Sequence, residues 1–345
     1  HFVRRRQRQM CIRDRCIILM QLGALMKVIN NLYKKELNLV NKLIKSEIIN
    51  ETVIQELYDY IFKKNGKQLR PLLSLIASSP NKRKASKRVQ IAAIIELLHT
   101  ATLVHDDVVD ESPLRRGAKT INNFWTNSHG VLMGDFIYSK AFMLMVNLSN
   151  IKILSELSKA TNDISKGELI QLDLVGKKEV SLDELLQVSY FKTGRLFEAS
   201  AKCGAILVNE DDKKYITNVS NFAKNLGIAF QIKDDMLDYS QSSQHLGKPT
   251  LQDLREGKIT YPLYFAMEAG NSSEKKFLQS FLGVQTKYDV SKILKKIEAL
   301  GGNQKTEELL ISYIEKSVKL ANKIENKQVR EEMLNLSKFS YERTK

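Results

Sequence analysis

No proline interrupts the chain between Pro113 and Pro249, and this long stretch free of helix breakers constrains the fold more than any other feature. Proline removes an amide donor and clashes with the preceding turn, so its absence lets helices run on. Only five prolines and sixteen glycines occur in 345 residues, which favours long helices over a strand-and-turn architecture. Pro71, Pro80 and Pro262 fall where helix starts or loops are expected. With 43% hydrophobic residues there is ample material for a core, and no low-complexity linker or repeat splits the chain. The expected fold class is all-α, in a single domain.

Residues 1–25 do not match the rest. The segment HFVRRRQRQMCIRDRCIILMQLGAL holds six arginines and one aspartate, +5 of the +15 total, together with Cys11 and Cys16. Its apolar run is too short to span a bilayer and lacks a clear small-residue cleavage site. We expect a non-native or mispredicted extension over 1–25, with the native start at Met26 and one domain over 26–345. Without the segment the charge is about +10 (+15 less +5), with lysines dispersed over helices such as VSKILKKIEAL. No aromatic-interleaved basic stripe or zinc-finger spacing points to nucleic acid. Cys203, the remaining cysteine, gives neither a disulfide framework nor a metal set, which fits a reducing cytoplasm.

The chemistry lies in a duplicated acidic pattern: Asp106, Asp107 and Asp110 in HDDVVDE, and Asp234, Asp235 and Asp238 in KDDMLDY. Residues four apart share a helix face, so each copy presents carboxylates side by side. Such clustering destabilises a helix unless a cation neutralises it. One copy on a polar helix would be an ordinary solvated face, but these follow the apolar stretches IAAIIELLHTATLVH and NLGIAFQI. Two hard-metal platforms sharing one polyanion are expected, with magnesium on a diphosphate the obvious pairing.

A diphosphate also needs cations from the protein. Arg115 and Arg116 in SPLRRG offer guanidinium forks, and Lys67 and Arg70 in NGKQLRP stand at a helix start. His99 lies seven residues before Asp106, two turns away on the same face. Lys192 and Thr193 in FKTGR, Phe230 and Gln231 before the second triad, and Lys248 and Lys258 in GKPTLQDLREGKITYPL complete the candidates. Alone, each has an ordinary explanation: a satisfied core histidine, a surface arginine pair, a charged loop.

The ordered set GKxxRP, HTATLVHDDVVD with ESPLRRG, GDFIYSKAF, GELIQ, KTG, FQIKDDMLD and GKPTLQDLREGK resembles the trans-isoprenyl diphosphate synthases, especially the bacterial octaprenyl and other long-chain members, over about residues 26–345. The resemblance implies an isoprenoid-synthase-type helical bundle around a central apolar cavity, acting as a homodimeric prenyltransferase. It implies that Asp106 and Asp110, with Asp107 alongside, and Asp234 and Asp238, with Asp235, bind magnesium, three ions in all, holding the allylic diphosphate. Arg115, Lys192 and Lys258 would contact that diphosphate; Lys248, read from the residues alone, lies in a glycine-punctuated loop that can close over phosphate or be an ordinary charged loop. Lys67, Arg70, His99 and Arg116 would bind isopentenyl diphosphate, while Thr193 and Gln231 would line the reacting end. The chain departs from the family's G-G-K-R or G-G-K-H with Asn65, Gly66, Lys67 and Gln68, so a tight turn is less glycine-dependent and one basic side chain is missing.

The implied reaction is ionisation of an allylic diphosphate, attack on the resulting cation by the double bond of isopentenyl diphosphate, and loss of a proton to the released diphosphate, no dedicated protein base being evident. Repetition lengthens the chain. Ala101 and Thr102, five and four before Asp106, are small where the resemblance implies that short-chain synthases carry an aromatic floor. The product is therefore expected to grow past about fifteen or twenty carbons, with octaprenyl favoured, to supply a quinone side chain. Ile94, Met143 and Met145 are possible deeper stops, each equally an ordinary core filler. The alternatives are a farnesyl- or geranylgeranyl-length synthase, a terpene cyclase and a noncatalytic subunit. The second acidic motif with Lys67, Arg70 and Arg116 disfavours the cyclase, and two intact acidic motifs disfavour the noncatalytic subunit. Localisation is expected to be cytoplasmic, with transient membrane association for product release.

Overall fold

The computed structural model describes residues 31–46, 51–63, 66–81, 84–115, 117–239, 251–284 and 289–343. The extension over 1–25, Met26, Asn65, Arg116, Lys248 and Pro249 lie outside the described residues. Helix α1 covers 31–46, followed by α2 (Thr52–Phe62), α3 (Leu69–Ser78) and α4 (Ala85–Val109). A two-residue antiparallel ribbon, β1 (Leu114–Arg115) with β2 (Ala118–Lys119), is the sole sheet among the described residues. Then come α5 (Ile121–Phe124), α6 (Asn127–Asn147), α7 (Ile151–Leu174) and α8 (Leu182–Ser189). A π-helical turn at Tyr190–Gly194 leads into α9 (Arg195–Val208) and α10 (Lys213–Asp238). The remainder is α11 (Gln252–Arg255), α12 (Tyr261–Ala269), α13 (Ser272–Gln279), α14 (Val290–Ala299), α15 (Gly302–Ala321) and α16 (Lys327–Glu342). The all-α expectation holds apart from the ribbon.

Local chemistry explains several boundaries. Pro71 sits in the first turn of α3 and Pro262 in that of α12, where a missing amide costs nothing. Pro80 and Pro113 lie between helices. Ser181 and Glu184 form a reciprocal capping box at the start of α8, and Asp212 accepts from the Tyr215 amide at the start of α10.

Helix α3 is buried along its whole length except at Arg70, so it forms the centre against which α4 and α9 pack. Helix α4 also packs on α6, and α10 lies between α9 and α15. Buried charges tie these layers together. Arg195 on α9 binds Glu156 and Asp163 of α7, both at 2.7 Å, and Arg88 on α4 binds Glu36 of α1 at 2.8 Å. Removing one partner from such a pair would strand a buried charge.

One glycine contact sets the geometry of the site. A Cβ on Gly227 of α10 would meet the Gly194 Cα at 2.7 Å and Phe197 at 3.0 Å. With glycine at both positions the π-helical turn lies directly against α10, so Thr193 stands beside Gln231.

Candidate active site

A cavity of about 780 Å³ opens where these helices converge. Helix α4 contributes Glu96, His99, Thr102, Leu103, Asp106 and Asp110, a stripe repeating every three or four residues. Helix α7 adds Ile164, Glu168 and Gln171, and α10 adds Phe230, Gln231 and Asp234. Lys67, Arg70, Arg115, Lys192, Thr193 and Lys258 also line it, as do Asp253 and Glu256.

Each acidic motif occupies the last turn of its helix, with Asp110 and Tyr239 as the C-caps. The helix dipole is negative there, so carboxylates are doubly unfavourable and require cations. Burial pushes the Asp106 carboxyl upward, reinforced by Asp110 and opposed by Lys192. Lys192 Nζ binds Glu168 Oε2 at 2.7 Å and Gln171 Oε1 at 2.8 Å, and stands 4.0 Å from Asp106 Oδ2. Burial works against its charge, but Asp106 and Glu168 prevail and hold its ammonium above the ordinary lysine range. Lys258 Nζ bridges Asp110 Oδ1 at 3.0 Å and Glu256 Oε2 at 2.7 Å.

The six aspartates do different jobs. Asp106, Asp110 and Asp234 line the cavity. Asp107 is buried behind it, accepting from Arg115 Nε at 2.7 Å and so aiming that guanidinium. Asp235 is buried and accepts from Gln231 Nε2 at 2.8 Å, while Gln231 Oε1 accepts from Thr193 Oγ1 at 2.7 Å. Burial, and next the charge of Asp253, drives Asp235 well above the usual carboxylate range. Asp238 spends both oxygens on the amides of Gln252 and Asp253, at 3.1 and 3.2 Å, fastening the start of α11. Asp238, expected to bind magnesium, does not line this cavity; its two amide bonds secure the segment that carries Asp253 into it. The Asp253 carboxyl is pushed up to about 7 by burial and by Asp238.

On the other side, Arg70 Nη1 donates to His99 Nε2 at 2.9 Å, which places the proton of a neutral imidazole on Nδ1. The Arg70 guanidinium stacks 4.8 Å from the Phe197 ring centre. Gln68 adopts a left-handed backbone, φ 48°, and its Nε2 is held by Asn41 Oδ1 at 2.8 Å. The tight turn before α3 thus rests on an anchored glutamine, at a cost of roughly 1–2 kcal/mol in backbone strain.

The chain-length candidates fall in different surroundings. Thr102 lines the cavity, but Ala101 does not: it is fully buried in the main core. Five residues carry the helix about 500°, so Ala101 points about 140° away from Asp106, whereas Thr102 is about 40° away. Met143 is 55% exposed and cannot plug an internal tunnel, while Ile94 and Met145 are buried core residues.

Sequence reasoning did not assign Glu168, Gln171, Asp253 or Glu256, although all four lie inside motifs already singled out. It missed Glu96 and Arg343 altogether; Arg343 bonds Asp234 at 2.8 Å.

The donors facing the cavity are carboxylate oxygens, which suit a hard divalent cation. Among the described residues no three acidic, histidine or cysteine side chains converge to cage an ion unaided.

Comparison with known proteins agrees with this geometry. The polyprenyl synthetase family model matches residues 51–300. The octaprenyl diphosphate synthase of Escherichia coli (strain K12) is 34% identical over 320 residues, covering 91% of this chain and 98% of that protein. The crystal structure of a decaprenyl diphosphate synthase from Rhodobacter capsulatus superposes with a TM-score of 0.87 at 31% identity, covering 93% of this chain and 99% of that one. A polyprenyl synthase from Caulobacter crescentus CB15, solved with calcium and isoprenyl diphosphate, gives 0.87 at 32% identity, covering 93% and 98%. The chain belongs to the polyprenyl synthetase family. It is a prenyltransferase, an all-trans-polyprenyl diphosphate synthase.

Proposed function

We propose that the enzyme condenses isopentenyl diphosphate repeatedly onto an allylic diphosphate such as farnesyl diphosphate, with magnesium, to octaprenyl length for a quinone side chain. The observation carrying this reading is that Asp106 and Asp234, from two different helices, face one cavity alongside two separate sets of cations. The Caulobacter relative, with calcium and isoprenyl diphosphate bound, supports the metal and ligand pairing. Asp106, Asp110 and Asp234 would hold magnesium, three ions by family resemblance, and the metal supplies charge neutralisation for the departing diphosphate.

The chain's own residues do the rest. Arg115, Lys192 and Lys258 take up charge that develops on the leaving diphosphate, an interaction strongest in the transition state. Lys67, Arg70 and His99 hold isopentenyl diphosphate. The Thr193–Gln231–Asp235 chain fixes the polar wall at the reacting end. Thr102, Leu103, Ile164 and Phe230 give an apolar lining that excludes water from the allylic cation.

A homodimer is supported by exposed apolar residues on one face of α6: Leu132 at 67%, Met143 at 55% and Val146 at 64%. No helix among the described residues is long and apolar enough to cross a membrane. We place the enzyme in the cytoplasm, with transient membrane contact for product release.

The test is incubation of the purified full chain with labelled isopentenyl diphosphate, farnesyl diphosphate and magnesium, followed by chromatography of the dephosphorylated products. Products near eight isoprene units are expected; arrest at three or four units would overturn the octaprenyl assignment. The two diphosphate pockets are separable by kinetics. Lys67→Ala and Arg70→Ala should raise KM for isopentenyl diphosphate, and Arg115→Ala and Lys192→Ala that for the allylic substrate. Each loses a charge-assisted contact worth roughly 1.5–3 kcal/mol, about ten- to 150-fold. If all four raised the same KM, there would be one pocket.

A further inference from the structure

Arg343, the C-cap of α16, is only 5% exposed, although its neighbours Tyr341 and Glu342 are half-buried. Its guanidinium is committed to α10. Nη2 donates to Asp234 Oδ1 at 2.8 Å and to the Phe230 carbonyl at 2.6 Å, and the group lies 3.5 Å from the Phe230 ring centre. Phe230 and Asp234 are one turn apart, and both line the cavity. Phe339, one turn before Arg343, has the Lys67 ammonium 5.4 Å from its ring centre. The end of α16 therefore touches both the second acidic motif and the basic loop before α3.

Burying a guanidinium is costly unless it is paired and hydrogen-bonded, and among the described residues the carboxylate pairing with it belongs to the second acidic motif. The bond takes a single oxygen. The Asp234 side chain stays 44% exposed, so its other oxygen remains open to the cavity. We propose that Arg343 is a positioning residue for the metal site: it fixes the rotamer of Asp234 and presents Oδ2 to the cation held with diphosphate. This rests on the reading that Asp234 is a magnesium ligand. Hydrogen-bond partners that orient a ligating carboxylate typically change metal affinity by about 10- to 100-fold when removed.

The test is calorimetric titration of magnesium into the full chain with inorganic diphosphate present, alongside thermal unfolding of the metal-free protein. Arg343→Gln should weaken magnesium binding by about 10- to 100-fold, and Arg343→Lys, which can still pair with Asp234, should recover most of the loss. Should Arg343→Gln fail to fold, Arg343→Met keeps an apolar stem over Phe230 and should show the same weakening. Wild-type magnesium affinity in a folded Gln or Met variant overturns the proposal, because it would make Arg343 a mere staple for α16. Asp234→Asn separates the two levels. If it abolishes magnesium binding while the Arg343 variants leave it intact, only the positioning role fails; if it too leaves binding intact, the metal reading of Asp234 falls as well.

Discussion

Asp106→Ala and Asp234→Ala should each lower turnover by roughly 100- to 1,000-fold or more, the scale seen when one group that stabilises transition-state charge is removed. Both positions line the cavity from different helices, so neither can replace the other. The fold should survive in Asp106→Ala, whereas Asp234→Ala strands the buried Arg343 guanidinium and should melt at a lower temperature. Burial raises the Asp106 carboxyl above its ordinary range, which means that the charged form already costs stability. Circular dichroism with single-turnover kinetics on the purified variants checks both halves. Near-normal turnover in either variant, or full wild-type activity in excess chelator, would remove the metal-dependent mechanism.

The second large effect concerns product length. Thr102→Phe should place an aromatic ring in the cavity below Asp106, and products should shorten from about eight isoprene units toward three or four. The first condensations should survive, because Thr102 bonds only the His99 carbonyl, at 2.7 Å, among the described residues. Ala101→Phe should behave differently. Its side chain would enter a fully packed core and destabilise the fold by roughly 1–3 kcal/mol without setting chain length. Chromatography of products and a melting curve for each variant decide the matter. A stable Ala101→Phe enzyme making short products, with Thr102→Phe making long ones, would reverse the assignment.

This contrast shows where the sequence was legible. Scarce prolines and apolar periodicity were enough for an all-helical fold, because those signals are local. The stripe from His99 to Asp110 was also legible, since helical spacing alone aligns it. Ala101 and Thr102 were not separated in the sequence, because counting residues back from a motif ignores the rotation of about 100° per residue. Asp238 shows a different limit: its spacing matches Asp110, but no spacing rule announces its bonds to amides fourteen and fifteen residues later. Arg343 was invisible because its bond to Asp234 spans more than a hundred residues, with no spacing rule connecting them.

The acidic motifs are already paired with cations of the protein: Arg115 on Asp107, Lys258 on Asp110 and Arg343 on Asp234. At Asp110 a magnesium ion would compete with Lys258 for the carboxylate, while Arg343 would keep its oxygen of Asp234. Lys258, if displaced from Asp110, would become available to diphosphate oxygens, so that each ligand would prepare the site for the other. Thermodynamic linkage then makes the benefit mutual: whatever factor magnesium adds to diphosphate affinity, diphosphate adds to magnesium affinity. Each ligand alone would then bind more weakly than it does in the presence of the other.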